Sequence, residues 1–593
     1  MIEVIASLFA LVAVVVGLGT LTEKVVRRCL SGSRELVLNI AEKGLLGITA
    51  LALAGLLTSF VAPLNLWVTG AVAIVGTAGL LTGGRSLSAA LGRRPLSELA
   101  ILAFFVVVCG AGVYATPIHF DTGLYHLQQI LWQREEPIVL GLANLHGRFG
   151  FNSVWLTVAG MLWLPVIGMA GIFLSNAVIF VLCLYGFAQR LLNFEGRLER
   201  PMSYLFCLIT VVFLLFSGDI LVFARFGMGP STDLPAAMLT LYAFYLTLKL
   251  IEAPKQDRDA FSQAEYEAGL FMLSLVSTLA VTIKLSQIPV LLLPTLFYLG
   301  VWTGRLPRTN YWAQLTISSV FVALWAMRGV ALSGCLIYPQ DQTCISALPW
   351  AATSKATSDA LWIKSWARAP GNHPDVVLGN WNWLGGWVER VSADQFTRAL
   401  SATVAITLVA LVAAWLWSVV SSGQPIQRLL QFSRTLNLRP NVTVVMAGWT
   451  MLVTLIGVIF WFILAPSLRF GWGFLMAAVF VSLAVLGHGS LRWPWRENVA
   501  RLTIYFVLVG ALSVFAIETR QLEAARVTQP TESWPKLPVV GQVENLNEQG
   551  ITVFSPAKGD QCWAIKRPCT PYFKPQIRKV SKGIWTIFLK DWR

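Results

Sequence analysis

Residues 101–129 of the chain read ILAFFVVVCGAGVYATPIHFDTGLYHLQQ. The first half is apolar and, with the residues before it, is long enough to cross a bilayer. The second half places His119, Asp121 and His126 directly after that apolar run. Titratable side chains are costly at the end of a membrane helix, and they are rare there unless a function requires them. The stretch therefore predicts a membrane span that carries a functional loop to one membrane face.

The whole chain has the composition of a polytopic membrane protein. Of its 593 residues, 56% are hydrophobic and 13% are charged, and the mean hydropathy is +0.66. These values exclude a soluble enzyme and a disordered chain. The net charge is +15, but the basic residues lie in short loops between apolar runs. This distribution is typical of residues that set the orientation of a protein in the membrane, and not of a nucleic-acid binding surface. The sequence has no Walker A loop, so nucleotide-driven transport by this chain alone is not expected.

Basic loops predict which side of the membrane each segment faces. Lys24, Arg27 and Arg28 follow the first apolar run, 5–21, and place the N-terminus outside. That run has neither a basic n-region nor a small-residue cleavage site, so we predict a span rather than a signal peptide. Continued along the chain, the alternation gives roughly fourteen spans with both termini outside. The apolar run 154–169 breaks the alternation, and we predict that it lies in or dips into the outer interface.

The predicted fold is an all-α polytopic membrane protein with a small, disulfide-bearing α+β external domain. Residues 1–96 are N-terminal transmembrane helices, and residues 97–517 are a larger membrane region. That region has external loops at 116–153, 218–234 and 333–397. Residues 518–593 form the external C-terminal domain, which begins as an amphipathic segment (518–527) and then shows strand-type alternation.

Four cysteines form two short-range pairs on the predicted outer side. Cys335 lies near Cys344, and Cys562 lies near Cys569. Neither pair has a nearby His or Cys to complete a zinc site. We therefore predict two disulfides in an oxidising compartment.

The segment from Thr122 to Gln133 has the pattern of an amphipathic helix lying on the outer membrane face. Asp121 stands at its first position, where Asp is a favoured N-cap. A cap explains Asp121 alone and not the polar residues around it. We interpret the segment as part of an active-site loop, with catalytic candidates Asp121, His119 and His126. The candidates for substrate binding in this loop are Tyr125, Gln128, Asn144, His146 and Arg148.

Three more candidates lie at predicted outer ends of later spans. Asp233, in GPSTDLP (229–235), either caps a helix or belongs to the site. Lys284 and Arg469 either extend to the interface or bind the phosphate of a lipid substrate, for which Arg offers a fork and Lys a point charge. Together with Arg148, they supply the cations that a phosphate ligand requires.

The external loop 333–397 is rich in tryptophan. Its members are Trp350, Trp362, Trp366, Trp381, Trp383 and Trp387. Tryptophan at this density beside a membrane is typical of an interfacial belt. Stacking of sugar rings on the indoles is the functional alternative.

Three stretches carry a family resemblance: Phe120–His126, Asn144–Ser153 and Ala465–Gly471. With an acidic residue in an early external loop, they resemble the GT-C superfamily of integral-membrane glycosyltransferases, and most closely a GT-C-like bacterial membrane protein family of uncharacterised activity. The resemblance covers about 97–520, the membrane region. It implies a multi-pass protein of the bacterial inner (plasma) membrane whose active face is periplasmic or external.

The resemblance also implies a reaction. A sugar would move from a polyprenyl-phosphate carrier to a lipid or glycan acceptor, through Asp121 as general base, and a single displacement would invert the anomeric centre. Arg148, Lys284 or Arg469 would stabilise the departing phosphate.

The chain departs from the superfamily in one respect. Many members carry paired acids in this loop, whereas Asp121 has no acidic neighbour until Glu135 and Glu136. We therefore predict no metal site. The alternative is a divalent cation bound by Asp121 together with His119, His126 or Asp233.

Three other functions stay open. One is a glycan ligase that uses His373, Arg368 and Arg390 of the later loop. The second is a lipid or glycan transporter, which predicts charges at mid-membrane depth. The third is a non-catalytic scaffold for envelope assembly.

Overall fold

The structure, a computed structural model, describes residues 1–30, 38–91, 95–115, 118–193, 229–252, 260–306, 309–394, 396–405, 442–490 and 534–589. We number the elements in chain order. The helices that precede the first long gap are α1 (Ile2–Leu30), α2 (Ile40–Ser59), α3 (Leu66–Thr82), α4 (Gly84–Ala90), α5 (Pro95–Ala115), α6 (Leu127–Glu135), α7 (Val154–Met161) and α8 (Ala170–Asn193). The later helices are α9 (Asp233–Glu252), α10 (Ala260–Ile283), α11 (Leu292–Trp302), α12 (Tyr311–Ser333), α13 (Thr353–Arg368), α14 (Pro374–Val377), α15 (Leu384–Ala393), α16 (Val442–Leu464) and α17 (Leu468–Ser490).

Short turns and strands complete the described elements. Thr122–His126 forms a π-helical turn, and the 3-10 turns are Leu142–Asn144, Gly147–Gly150, Leu285–Leu291 and Asp341–Thr343. The strands are β1 (Gln542–Leu546), β2 (Thr552–Pro556), β3 (Arg578–Lys582) and β4 (Trp585–Leu589).

The described helices make this a multi-pass membrane protein. Nine segments within the described ranges are long and apolar enough to cross a bilayer, and one of them joins the 3-10 turn Leu285–Leu291 to α11. Helices α3 and α4, bent by 76°, make a tenth if they are counted as one span. The predicted total of roughly fourteen is not confirmed, because the other predicted spans involve residues 194–228, 406–441 and 491–533, which lie outside the described residues. Helix α7 has eight residues, which is too short to cross a bilayer, and the interfacial position of 154–169 stays a prediction.

Small residues allow the first three helices to pack backbone to backbone. A Cβ atom on Gly17 would lie 2.0 Å from the carbonyl oxygen of Gly76, and one on Gly19 would lie 1.7 Å from that of Lys43. Glycine at such contacts lets membrane helices approach closely, since lipid supplies no hydrophobic drive for association. The α1–α2–α3 layer thus depends on residues without side chains.

Charged residues at the end of the bundle opposite the loop 118–153 are paired. Lys43 of α2 is 1% exposed and donates to Glu23 of α1 and to Ser86 of α4. Lys249 of α9 lies 3.5 Å from Glu42 of α2. These ion pairs lie near the ends of their helices and not at the middle of the bilayer.

Residues 534–589, referred to below as the cap, form two antiparallel hairpins. Strand β1 pairs with β2 and β3 pairs with β4. Both predicted disulfides are present, Cys335–Cys344 in the loop after α12 and Cys562–Cys569 in the cap. The predicted amphipathic start of this domain, 518–527, lies outside the described residues.

The cap and the loop 118–153 share one apolar core. From the loop it takes Leu124, Tyr125, Trp132, Ile138, Val139, Leu142, Leu145 and Phe149, and from the cap Val553, Ile577 and Phe588. The backbone of Leu140 also pairs with the edge of β4, through bonds of 2.9 Å to Thr586 and 2.8 Å from Phe588. The cap therefore covers the loop, and we refer to this side of the bundle as the cap end.

Candidate functional site

Several helix ends meet at the cap end of the bundle. Asp233 is the first residue of α9, Lys284 follows the last residue of α10, and Arg469 is the second residue of α17. His119 and Asp121 lie between α5 and the π-helical turn. The fold brings these five predicted residues together, and we refer to them as the Arg469 cluster.

The guanidinium of Arg469 is the centre of the cluster. Its Nη1 atom lies 3.0 Å from Oδ2 of Asp121, 3.2 Å from Nε2 of His119 and 3.5 Å from Oδ2 of Asp233. Lys284 forms an ion pair with the other oxygen of Asp233, Oδ1. One Arg therefore joins both acids, and each acid has a cation within contact distance.

Asp121 faces Arg469 instead of capping the helix that follows it. Its side chain makes no capping hydrogen bond, and its backbone is already helical. The ring of His119 accepts the Asp121 backbone N–H at its Nδ1 atom, at 3.2 Å. The simple explanation of Asp121 as an N-cap is therefore not what the structure shows.

The charges of the cluster are set by burial and by Arg469. Burial alone raises the pKa of the Asp121 carboxyl, but the positive charge of Arg469 outweighs it and holds this pKa well below its usual range. Burial lowers the pKa of His119, so its ring is neutral at pH 7. At neutral pH Asp121 is therefore an ionised carboxylate, and the imidazole ring of His119 beside it is uncharged.

The cluster is open on one side and supported by an aromatic ring on another. The side chains of Asp121 and Arg469 are 16% and 25% exposed, whereas that of Asp233 is 4% exposed. The ring of Phe470 lies 3.7 Å from Nζ of Lys284 and 5.2 Å from the guanidinium carbon of Arg469. A ligand can thus reach Asp121 and Arg469, while the buried Asp233 pairs with Arg469 and Lys284 on the side away from solvent.

Three further candidates from the loop are more buried than Asp121 and Arg469. Tyr125 is 8% exposed and His126 is 1% exposed, with their rings 4.2 Å apart. His146 is 3% exposed and accepts the Arg148 backbone N–H at 3.1 Å. Burial lowers the pKa of His126 and of His146 to about 3, so both rings are neutral.

Arg148 is set apart from the other two candidate cations. Its guanidinium carbon lies 5.8 Å from the centre of the Tyr125 ring. Among the described residues, no ion pair joins Arg148 to Asp121 or Asp233. The expected convergence of three cations is therefore seen for Lys284 and Arg469, which both pair with Asp233, but not for Arg148, which lies over the ring of Tyr125.

The two amide candidates are engaged in contacts with other parts of the protein. Gln128 donates to the carbonyls of Trp563 and Ile565 in the cap, at 2.9 and 2.8 Å. Asn144 donates to the carbonyls of Trp350 and Phe588, at 2.9 and 3.0 Å. Both side chains hold the loop against its neighbours, which is a structural role.

A short segment of the cap lies directly on the turn that carries Asp121. The backbone N–H of Trp563 donates to the carbonyl of Gly123 at 2.9 Å, and Gln561 donates to the carbonyl of Phe120 at 2.7 Å. A Cβ on Gly123 would lie 2.4 Å from the Trp563 indole, so only glycine fits there. We refer to residues 561–565 as the latch.

Sequence reasoning missed a second polar group near the loop. The hydroxyl of Tyr338 donates to Asp359 at 2.6 Å, and Lys355 donates to the carbonyl of Asn144. Burial raises the pKa of Asp359. These residues lie about two hundred positions after Arg148, and no spacing or motif signals that α13 returns to the loop.

Sequence reasoning also missed a buried cation in α12. Arg328 is 1% exposed and donates to the side-chain oxygen of Asn152 at 2.6 Å. Within the described ranges no carboxylate pairs with it. A single Arg in a membrane helix is the signal that could have marked it.

The described part of the chain has no ready metal site. No three His, Cys, Asp or Glu side chains within it are arranged to hold a metal ion. Asp121 and Asp233, the two acids that come together, share Arg469 instead.

The fold and the cluster define a multi-pass membrane protein with a charged, partly open site at the capped end of its helix bundle. Residues 1–476 match the family described as "Domain of unknown function (DUF8201)". The match spans most of the chain, and the protein belongs to this family. No curated protein and no solved structure matches it.

Proposed function

We propose that the protein is a membrane glycosyltransferase that moves a sugar from a polyprenyl-phosphate carrier to an acceptor hydroxyl on the external face of a bacterial inner membrane. The observation that carries the proposal is the Arg469 cluster. It places an ionised carboxylate, Asp121, in contact with a cation that has a second cation, Lys284, as near neighbour. A base beside cations that can stabilise a phosphate leaving group is what this transfer requires.

In the proposed reaction the acceptor oxygen attacks the anomeric carbon, and the bond from that carbon to the phosphate oxygen breaks. The phosphate leaves with the electron pair, and the acceptor proton passes to the Asp121 carboxylate. Arg469 and Lys284 stabilise the charge that grows on the phosphate. A single displacement of this kind inverts the anomeric centre.

The low pKa of Asp121 makes it a weak base in the resting cluster, where the positive charge of Arg469 faces it. A phosphate bound to Arg469 adds negative charge next to Asp121 and shares its cation. Both changes raise the pKa of Asp121, because the cation is what lowers it. Donor binding thus strengthens the base only when the leaving group is in place.

The position of the disulfides supports an external active face. Cys335–Cys344 and Cys562–Cys569 both lie at the cap end, next to the loop that carries Asp121. Disulfides persist in oxidising compartments such as the bacterial periplasm and are rare in the cytosol.

The alternatives have less support from the described residues. His373, the base of the ligase alternative, is 59% exposed at the start of α14, and Arg368 and Arg390 donate to backbone carbonyls. A transporter predicts charges at mid-depth, whereas the paired charges described above lie near helix ends.

The test compares Asp121→Asn with wild type in lipid nanodiscs, using a panel of labelled polyprenyl-phosphate sugars. Asp375→Asn is the matched control, since that carboxylate is 88% exposed and lies in α14, outside the Arg469 cluster. We expect transfer by wild type and by the control, and at least a hundredfold loss with Asp121→Asn at an unchanged melting temperature. Full activity of Asp121→Asn, or no transfer by wild type from any donor, would overturn the proposal.

A further inference from the structure

The tryptophans of the loop after α13 and the end of α16 form one continuous layer of rings. The ring of Trp381 stacks on Trp383, with centroids 5.6 Å apart, and on Phe462 of α16, at 6.4 Å. Trp387 of α15 packs against Phe462 and Trp461 of α16, at 5.4 and 6.1 Å. We refer to these five residues, with Val376 and Val388 beside them, as the aromatic platform.

The outer face of the platform is uncovered and apolar. Trp381 is 64% exposed, Val376 67% and Val388 51%. Helix α15 has no buried residue at all, although its sequence is strongly amphipathic. Contiguous exposed apolar surface of this kind marks a site of interaction, whereas single exposed residues do not.

The platform continues the lipid-facing side of a membrane span. Helix α16 is one of the candidate spans, and its last turns expose Ile459 and Ile463 at 47% and 59%. Phe462, between them in sequence, contacts Trp381, Trp383 and Trp387. The apolar, lipid-facing surface of α16 is therefore continuous with the aromatic platform, and no polar residue of α16 separates the two.

The chemistry of the platform fits lipid better than sugar. The indole N–H groups of Trp383 and Trp387 already donate to the carbonyls of Asn380 and Pro466, at 2.9 and 2.6 Å. A sugar stacked on these rings would lack those donors for its hydroxyls, and the neighbouring valines offer none. Tryptophan with aliphatic neighbours is typical of the boundary between headgroups and acyl chains.

Side chains from the platform side also fix the segment that leads to Arg469. Arg368 donates to the carbonyl of Ile463 at 2.6 Å, and Trp387 to that of Pro466. Trp461 donates to the carbonyl of Ser467 at 2.7 Å. These bonds satisfy carbonyls at and beyond the end of α16, which have no partner within the helix.

We infer that helices α13–α15 are not a water-exposed loop but lie in the interface of the bilayer, with the aromatic platform embedded among the lipid headgroups and upper acyl chains. The partner is the lipid surface itself. Because the platform holds residues 463–467, it also sets the depth of Arg469 in that interface. The inference concerns membrane contact and does not depend on the proposed reaction.

The test places a nitroxide label at Val388→Cys and at Val376→Cys, in vesicles of phosphatidylethanolamine and phosphatidylglycerol. Collisions with oxygen, which concentrates in lipid, are compared with collisions with a water-soluble nickel chelate. Val539→Cys is the matched control, since Val539 is fully exposed on the cap. We expect oxygen collisions to exceed nickel collisions at both platform positions, and the reverse at the control.

Two positions keep the test informative if one variant fails to fold, and gel filtration with thermal melting identifies such a failure. Nickel collisions as frequent as at Val539 would overturn the inference. Shielding of the label from nickel by a soluble oligosaccharide, instead of by vesicles, would overturn it in favour of a sugar-binding surface.

Discussion

Arg469 and its partners carry no net charge in the resting cluster. Two cations face two carboxylates, and His119 is neutral. Charges removed from water in this way are tolerated only when each has a partner, because desolvation of a lone charge costs several kcal/mol. A single substitution in the cluster therefore leaves a partner unmatched, which links the chemistry of the site to the stability of the bundle.

The Asp121–Arg469 pair predicts a dependence of stability on acid. The folded pKa of Asp121 lies below its unfolded value of about 3.9, so the pair stabilises the protein at neutral pH. This contribution, up to about 2 kcal/mol, is lost as the pH falls below that unfolded value toward the lower folded one. We expect the melting temperature of wild type to fall more between pH 5 and pH 3 than that of Asp121→Asn, by differential scanning fluorimetry. Parallel pH curves would contradict the assignment.

The buried Arg328 predicts an unequal effect of two substitutions. Asn152→Leu leaves the Arg328 charge buried without its acceptor, whereas Arg328→Met removes the charge together with its need for a partner. We expect Asn152→Leu to be about 1–3 kcal/mol more destabilising, measured by thermal melting in detergent. The double variant should melt above Asn152→Leu alone. A double variant that loses the sum of both single effects would show that the two side chains do not act as a pair.

Sequence patterns located the charged site but not the contacts around it. Asp121, Asp233, Lys284 and Arg469 were identifiable, because charges at the ends of apolar runs stand out one by one. The partners of Gln128 were not, since they lie 435 and 437 positions further along the chain. The polarity of a buried side chain shows that it needs a hydrogen-bond partner. It does not show whether that partner is a substrate or the protein backbone.

At the scale of elements, the latch predicts a positioning role for Trp563. Removing its side chain in Trp563→Ala takes away the ring that packs against Gly123, beside Asp121. We expect faster amide hydrogen exchange in residues 118–128 and, on the proposed function, roughly a hundredfold lower kcat with little change in KM. Trp585→Ala is the control, because that indole donates to Phe60 at another contact of the cap.

A second variant approaches the same contact from the other side. Gly123→Ala places a methyl group against the indole of Trp563 and should reproduce the effects of Trp563→Ala. Unchanged exchange in both variants would show that the latch does not position the turn. Changed exchange with full activity would show that the position of the turn does not limit the reaction.

At the scale of the whole molecule, the two disulfides should differ in their effect on the site. They close loops of similar length, with sequence separations of 7 and 9, so each stabilises its own segment by about 2–3 kcal/mol. Only Cys562–Cys569 closes a loop that contains latch residues, 562–565. We expect Cys562→Ser/Cys569→Ser to increase hydrogen exchange in residues 118–128, and Cys335→Ser/Cys344→Ser to leave it as in wild type. Equal effects of the two double variants would contradict a specific role of the latch.

The overall architecture was only partly accessible from the sequence. Apolar runs of sufficient length predicted membrane spans, because the thickness of a bilayer sets the length of a span. Two pairs of cysteines close in sequence predicted both disulfides. The docking of the cap on the loop 118–153 was not predictable. Strand β4 of the cap pairs with Leu140 through backbone atoms, and backbone hydrogen bonds do not depend on residue type.

The contact between the latch and the turn at Gly123 also determines how late in protein synthesis the site can be completed. The ribosome makes residue 563 about 440 residues after residue 123. At typical rates of synthesis this is a delay of roughly 20–90 s. During that time the turn is already at the membrane, but its covering segment does not yet exist. A nascent chain is therefore inserted long before its charged site is assembled, and a chain stopped early would reach the membrane with the turn uncovered.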